Sequence, residues 1–181
     1  MIIENEFDVT AAPAEVYALM LDVQRVGPCL SGTEVLGKRE DGSYDGQMTV
    51  KLGPVKMTYR GTVAIIEHDD AARSAKLLAK GAEARGQGTA QATLSMSVAE
   101  LEGGRSHVTV STDMLVTGRV AQMGHGIMKD VAGRMILQMA ANMEQVLTGS
   151  GQVEPADAVS AGSVIGGVIG SRVRRAFGGG E

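Results

Sequence analysis

The sequence predicts an α+β fold, in which an antiparallel sheet of consecutive strands packs against a long C-terminal helix. Between residues 33 and 116, apolar and polar residues alternate in short segments separated by turn signals, which is typical of strands. After Gly118 the apolar residues recur at spacings of three and four, which is typical of an amphipathic helix. The links between the strands are too short for helical crossovers. The strands must therefore meander, and one face of their sheet must pack on the closing helix.

The N-terminal segment predicts a strand followed by a short helix. Residues 3–9 alternate between an apolar and an acidic face. Thr10 is the predicted N-cap of the helix, with Pro13 in its first turn, and Gly27-Pro28 is predicted to end it.

The middle of the chain predicts the sheet. Its turn signals are Asp41-Gly42, Gly53-Pro54, Asp69-Asp70 and Gly103-Gly104. The glycine-rich stretch from Gly81 to Gly88 predicts either a bend in the sheet or the close approach of another segment.

The closing helix is predicted over about residues 119–147, and its apolar face is unusually rich in Met. Residues 148–163 consist mainly of Gly, Ser, Ala and acidic residues, which predicts a flexible linker. The sequence therefore predicts a folded domain over residues 1–147, a linker over residues 148–163 and an apolar, basic tail over residues 164–181.

Composition limits the class of protein. The 181 residues are 44% hydrophobic and 21% charged, which fits one globular domain with a tail. The net charge of -4 argues against nucleic acid as a partner of the folded part. A single cysteine allows no internal disulfide, and the N-terminus lacks the basic and apolar regions of a signal peptide. No stretch of about 18 apolar residues is present to span a membrane, so we expect a cytoplasmic protein.

Local motifs add a family resemblance. The order of strand, short helix, meander and long helix resembles the helix-grip fold, also called START-like or polyketide cyclase-like. Shorter runs resemble the family of the carbon monoxide dehydrogenase subunit CoxG over most of residues 2–147. These runs are Phe7-Asp8-Val9, Ala12-Pro13 with Glu15-Val16, Asp22, Cys29-Leu30-Ser31-Gly32, Val50-Lys51-Leu52-Gly53-Pro54-Val55, Tyr59-Arg60-Gly61, Gly86 with Gly88, and Gly118-Arg119-Val120-Ala121 with Gly124. Two positions depart from the family pattern, because Ser31 stands where Pro is common and Met143 where an aromatic residue is frequent.

The resemblance implies an accessory protein and not the catalyst. Members of the family are encoded with molybdenum-containing carbon monoxide dehydrogenases and are thought to help tether that enzyme at the membrane. The fold implies a deep apolar cavity between the sheet and the long helix. Because fold alone does not fix function, each candidate site needs its own evidence.

No residue pattern predicts catalysis or metal binding. His68, His107 and His125 lie on different segments without metal-ligand spacing, and for His125 a surface or helix-capping role is the simpler interpretation. Cys29 has no neighbouring base, which predicts a buried, unreactive thiol. Gly86-Gln87-Gly88 is too short for a phosphate-binding loop. We expect no enzyme activity, no catalytic residue and no metal site.

Methionines recur on both predicted walls between the sheet and the helix. Met fills irregular cores, but plastic walls with few aromatic residues also suit a cavity for a flexible apolar ligand, and both interpretations stay open. We expect Gly53-Pro54 at a strand break or turn near one end of this cavity, because proline cannot donate to a central ladder. The candidate cavity residues are Met48, Val50, Met57, Tyr59, Met96, Met114, Met123, Ile127, Met128, Val131, Met135 and Met139.

The tail combines apolar residues with clustered arginines. As a helix it suits an interface with anionic lipid, and its glycines at four-residue spacing suit a partner groove equally well. The alternative is a disordered tail, because those glycines weaken a helix. The candidate membrane- or partner-docking residues are Val164, Ile165, Val168, Ile169, Arg172, Arg174, Arg175 and Phe177.

Three hypotheses follow. The first is an accessory protein that recruits a molybdenum-containing carbon monoxide dehydrogenase to the inner face of the cell membrane and carries a hydrophobic small molecule. The electrons of that enzyme must reach a respiratory chain, so a non-covalently bound quinone, menaquinone or ubiquinone, is the first ligand to test. The second hypothesis is a structural tether with a filled core, and the third is a cyclase- or hydrolase-like enzyme that uses the same cavity. No covalently bound cofactor is expected.

Overall fold

A computed structural model describes residues 1–149, apart from the side chain of Leu52. The predicted tail lies outside this part of the chain, as does the predicted linker beyond residue 149. The elements in chain order are β1 (Ile2–Val9), α1 (Pro13–Leu21), α2 (Val23–Val26), a 3-10 turn (Gly27–Cys29), β2 (Thr33–Lys38), β3 (Tyr44–Leu52), β4 (Val55–Asp69), β5 (Ser74–Glu83), β6 (Thr89–Leu101), β7 (Arg105–Val116), a second 3-10 turn (Ala121–Met123) and α3 (His125–Thr148).

The strands form one seven-stranded sheet in the order β1-β7-β6-β5-β4-β3-β2, and every neighbouring pair is antiparallel. The chain meanders from β2 to β7, and β1 joins β7 at the edge. Alternation places Ile3, Phe7 and Val9 on the inner face, where they are buried, and Glu4 and Glu6 on the exposed outer face. Helix α3 packs on the inner face and lies closest to β1 and the first 3-10 turn. The predicted α+β fold is confirmed.

The first helix differs from the prediction at both ends. Its N-cap is Ala12 and not Thr10, because the proline that starts the helix directly follows Ala12. The carboxylate of Glu15 accepts a hydrogen bond from the backbone N–H of Ala12 at 3.4 Å. The predicted single helix is interrupted at Asp22, whose carboxylate accepts the backbone N–H of Arg25 at 3.2 Å and so caps α2.

The long helix begins at His125, later than the predicted start near Arg119. Gly124 has a φ angle of +83°, which lies outside the helical range, so the regular helix begins only after it. The end agrees with the prediction within one residue, since α3 ends at Thr148 and Gly149 adopts the left-handed conformation that commonly follows a helix.

Two glycine predictions are confirmed. Gly53-Pro54 forms the turn between β3 and β4, with a φ angle of +62° at Gly53. A Cβ atom at Gly88 would lie 2.2 Å from the carbonyl oxygen of Thr117. The glycine-rich stretch therefore lets the β5–β6 turn touch the connection between β7 and α3.

Gly61 on β4 is a position where a side chain cannot fit. A Cβ atom there would lie 1.8 Å from the carbonyl oxygen of Lys80 on β5, and a backbone atom cannot rotate away. We expect Gly61→Ala to lower the free energy of unfolding by about 3 kcal/mol, at the upper end of the usual range for overpacking. Urea unfolding curves measure this change.

Gly37→Ala on the edge strand β2 is the matched control, because nothing lies within 4 Å of its Cβ position. It should change the free energy of unfolding by less than about 1 kcal/mol. Equal stability of the Gly61→Ala and Gly37→Ala variants would contradict the close approach of β4 and β5.

Two apolar clusters lie between the sheet and the helices. The larger cluster packs α1 and the C-terminal half of α3 against β1, β6 and β7, and it includes Phe7, Val108 and Met143. The smaller one, the ribbon cluster, packs the N-terminal half of α3 against the ends of β3 and β4. In this region β3 and β4 extend beyond their neighbours, and residues 50–57 pair only with each other among the described strands. We call residues 50–57 the ribbon.

Candidate functional site

The inner face of the sheet lacks bulky side chains in its middle. Cross-strand register places Gly46, Gly61 and Gly81 side by side on β3, β4 and β5, with Ala90 next to them on β6. We call Gly46, Gly61 and Gly81 the glycine row. The next inner-face positions carry apolar side chains that are only half-buried: Val63, Ala79, Ala92 and Met114. Apolar groups that are not fully enclosed on such a face are suited to holding a ligand by hydrophobic burial.

Most of the predicted cavity residues come together in the ribbon cluster. Met57, Val131 and Met135 are buried in it, with exposed fractions of 2%, 7% and 8%. Tyr59 lies two residues before Gly61 on the same face of β4, so the cluster borders the glycine row. The other predicted residues that pack against the cluster are partly buried: Met48, Val50, Tyr59, Met123 and Met128.

The remaining predicted cavity residues lie elsewhere. Met96 is buried in the larger cluster, and Met139 packs against it. Met114 is half-buried on the inner face of β7. Ile127 is 49% exposed, because it lies in the first turn of α3, and it belongs to neither cluster of described residues. The structure therefore does not place Ile127 in the predicted wall.

Two shallow grooves open on the outer face of the sheet, away from α3. Both include Arg60, and one is bordered by Lys80 and Leu115, the other by Leu36 and Lys38. Neither groove contains a predicted cavity residue. They are therefore separate from the ribbon cluster.

Polar side chains lie at the base of the ribbon. Thr33 on β2, Met48 on β3 and Tyr59 on β4 are direct cross-strand neighbours, and Ser31 precedes Thr33 by two residues. The hydroxyl groups of Ser31, Thr33 and Tyr59 are shielded from solvent and have no hydrogen-bond partner among the described residues. Tyr59 is also paired with Glu83 on β5. Burial, and to a smaller extent the negative charge of Glu83, raise the pKa of Tyr59.

Glu83 is a buried carboxylate, with an exposed fraction of 6%. Its Oε2 atom accepts hydrogen bonds from the backbone N–H groups of Arg85 at 2.7 Å and Gln87 at 3.2 Å. The β5–β6 turn therefore compensates for the burial of this charge.

The other titratable candidates lie apart from this site. Nδ1 of His107 is 2.7 Å from the carboxylate of Asp8 on the outer face, and this hydrogen bond is the main cause that raises the pKa of His107. His68 lies at the end of β4, and His125 is the exposed first residue of α3. Cys29 is fully buried, and burial raises the pKa of its thiol. Within residues 1–149, no three His, Cys, Asp or Glu side chains are grouped so that they could hold a metal ion.

A comparison with protein-family models decides the family. The model described as the carbon monoxide dehydrogenase subunit CoxG matches residues 6–148. The chain belongs to this family. The match extends from β1 to the end of α3, so the ribbon, the glycine row and the polar side chains are all parts of the CoxG domain. A sequence comparison with curated proteins gave no significant match. None of the helices described in this CoxG-family protein is long and apolar enough to span a membrane.

Solved structures share the fold of the CoxG domain at low sequence identity. A conserved protein from Geobacillus kaustophilus has a TM-score of 0.73 and 18% identity, covering 83% of this chain and 97% of that one. A START superfamily protein from Mycobacterium smegmatis has a TM-score of 0.54 and 15% identity, covering 83% and 99%. Truncated norcoclaurine synthase from Thalictrum flavum has a TM-score of 0.51 and 15% identity, covering 81% and 92%. These similarities show the START-like fold alone.

The sequence prediction includes Tyr59 in the site but not Ser31, Thr33 or Glu83. No spacing along the chain marks these residues, because the register of four strands brings them together. One signal was available for Thr33, which stands at an inner-face position of β2, two residues before Val35. A polar residue in the inward phase of an alternating strand can mark a polar group that faces the interior.

Proposed function

We propose that this CoxG-family protein is a non-catalytic accessory protein with two tasks. It binds an apolar ligand between the sheet and α3, and it recruits a molybdenum-containing carbon monoxide dehydrogenase to the cytoplasmic face of the membrane. Membership of a family that carries the name of that enzyme supports the choice of partner. A respiratory quinone is the first proposed ligand, because the electrons of the dehydrogenase must reach a respiratory chain.

One observation carries the ligand-binding part of the proposal. A methionine-rich wall on α3 and the ribbon stands beside an inner face that has no bulky side chains along the glycine row. Thioether side chains adapt their shape to a flexible molecule. An isoprenoid chain placed there would gain roughly 25 cal/mol for each Å² of apolar surface removed from water.

The charge distribution of the domain supports the membrane part. Lys51, Lys56, Arg85, Arg119 and Lys129 lie at the ribbon end of the sheet, and none of them forms an ion pair with a described residue. The opposite end carries acidic side chains in its loops and strand ends: Glu40, Asp41, Asp69, Asp70, Glu100 and Glu102. This polarity would orient the ribbon end towards an anionic lipid surface.

Two of these lysines repel each other in the free protein. Lys51 and Lys56 are directly opposite on the two strands of the ribbon. Like charges at directly opposite positions destabilise a strand pair. Anionic lipid headgroups would relieve this repulsion.

Mass spectrometry of organic extracts from the purified full-length protein tests the ligand. A stoichiometric isoprenoid quinone would support the proposal, and a stoichiometric lipid or acyl chain would support a carrier with another cargo. A tightly packed core without extractable ligand would favour the structural tether. Turnover of a substrate that is lost on replacing one polar residue of the site would favour an enzyme.

A further inference from the structure

The CoxG domain keeps three hydroxyl groups in an unfavourable state. The hydroxyl groups of Ser31, Thr33 and Tyr59 are removed from solvent without any hydrogen-bond partner among the described residues. Buried polar side chains in native proteins nearly always have partners, so each exception requires an explanation. Three exceptions in one region indicate a common cause.

The three groups lie on one side of the predicted ligand space. Thr33 and Tyr59 flank Met48 in a row across β2, β3 and β4, so their backbones are roughly 10 Å apart, which is two strand spacings. Ser31 is 1% exposed and lies two residues before Thr33. Met48 and Tyr59 both pack against the ribbon cluster. The hydroxyl groups therefore border an otherwise apolar wall.

Tyr59 is a hydrogen-bond donor without an acceptor. The nearest charged group in the sheet register is Glu83, but its Oε2 atom already accepts two backbone N–H groups of its own turn. Burial and the charge of Glu83 raise the pKa of Tyr59, so the phenol keeps its proton at neutral pH. What the site lacks is an acceptor oxygen that arrives from outside the described residues.

We propose that Tyr59, with Thr33 and Ser31 beside it, is a polar anchor for an apolar ligand that carries a carbonyl group. The Tyr59 hydroxyl donates to the carbonyl oxygen, and the apolar remainder of the ligand packs on the methionines of the ribbon cluster. This anchor rests on the proposed ligand-binding function, and it restricts the ligand to apolar molecules with an acceptor oxygen at one end. A quinone ring satisfies this requirement, whereas a plain hydrocarbon does not.

Two ring probes of nearly the same shape test the anchor. Dimethylnaphthoquinone carries two carbonyl groups, and dimethylnaphthalene carries none. We expect Tyr59→Phe to weaken the binding of the quinone about tenfold, as for the loss of one hydrogen bond, and to leave the binding of the hydrocarbon unchanged. Thr33→Val should weaken quinone binding in the same direction but less, by about threefold. In infrared spectra, the carbonyl stretch of the bound quinone should move to higher frequency in Tyr59→Phe.

Tyr44→Phe is the matched control, because the Tyr44 hydroxyl is not among the unpartnered groups and its ring lies 5.6 Å from Nζ of Lys38. It should leave the binding of both probes unchanged. If the wild-type protein binds the quinone and Tyr59→Phe binds it equally well with the same infrared spectrum, the anchor is wrong and the proposed function stands. If the wild-type protein binds neither probe, the ligand-binding function is itself wrong.

Discussion

The Met135→Trp variant should lose its bound ligand and still fold. Met135 lies near the middle of α3, is 8% exposed and belongs to the ribbon cluster. An indole ring at this position would occupy the space proposed for the ligand, and filling a void costs less than overpacking a solid core. We expect ligand binding to fall at least tenfold, which corresponds to roughly 1.4 kcal/mol. We also expect the melting temperature to stay within about 5 °C, a change of roughly 1 kcal/mol.

Quantitative mass spectrometry of the extracted ligand and thermal unfolding followed by circular dichroism measure the two effects. Leu137→Trp is the matched control, because Leu137 lies on the same helix with 66% of its side chain exposed, and it should change neither. Met139→Trp, one turn further along α3, should also reduce ligand binding. A Met135→Trp protein that fails to fold would indicate a filled core at this position and would favour the structural tether.

Deleting residues 164–181 should abolish the association of the protein with anionic vesicles and leave the domain folded with its ligand. The predicted linker precedes this segment, and the last described helix already ends at Thr148, so the deletion removes no described packing contact. Vesicle sedimentation, with ligand extraction from the same samples, measures both properties. A truncated protein that still sediments with the same salt dependence would show that the tail is not the anchor and would direct attention to the basic ribbon end.

Point variants separate the two kinds of force in the tail. Replacing Arg172, Arg174 and Arg175 with Gln should weaken lipid binding and reduce its salt sensitivity, because exposed charges are screened within about 8 Å at physiological ionic strength. Replacing Ile165 and Ile169 with Ser should weaken binding at every salt concentration, because burial of apolar surface does not depend on screening.

The sequence predicts the architecture well, because strand alternation and turn residues are local signals. Gly53-Pro54 marks its turn since few other dipeptides suit that backbone, and the period of α3 is visible in its methionines. The helix boundaries are less accurate, because a cap depends on backbone geometry. Ala12 replaces Thr10 as N-cap, and Gly124 delays the start of α3 through its positive φ angle.

The candidate site is only partly predictable from the sequence. Met57 and Met135 are expected on one wall because each lies in a clear apolar pattern, and the structure brings both into the ribbon cluster. The unpartnered state of Tyr59 and Thr33 has no sequence signal. It depends on strand register and on which acceptors are already used, as Glu83 shows by bonding to its own turn.

The two apolar clusters are separate, and the ribbon pairs only with itself among the described strands. Loosening the ribbon therefore breaks no ladder hydrogen bond in the rest of the sheet, and β1, β6 and β7 can keep their packing meanwhile. Such local opening requires less free energy than global unfolding, so the amides of residues 50–57 should exchange with solvent sooner than those of β6 and β7. A molecule held beneath the ribbon would then have a residence time set by this local event. Evolution could tune that residence time without changing the stability of the domain.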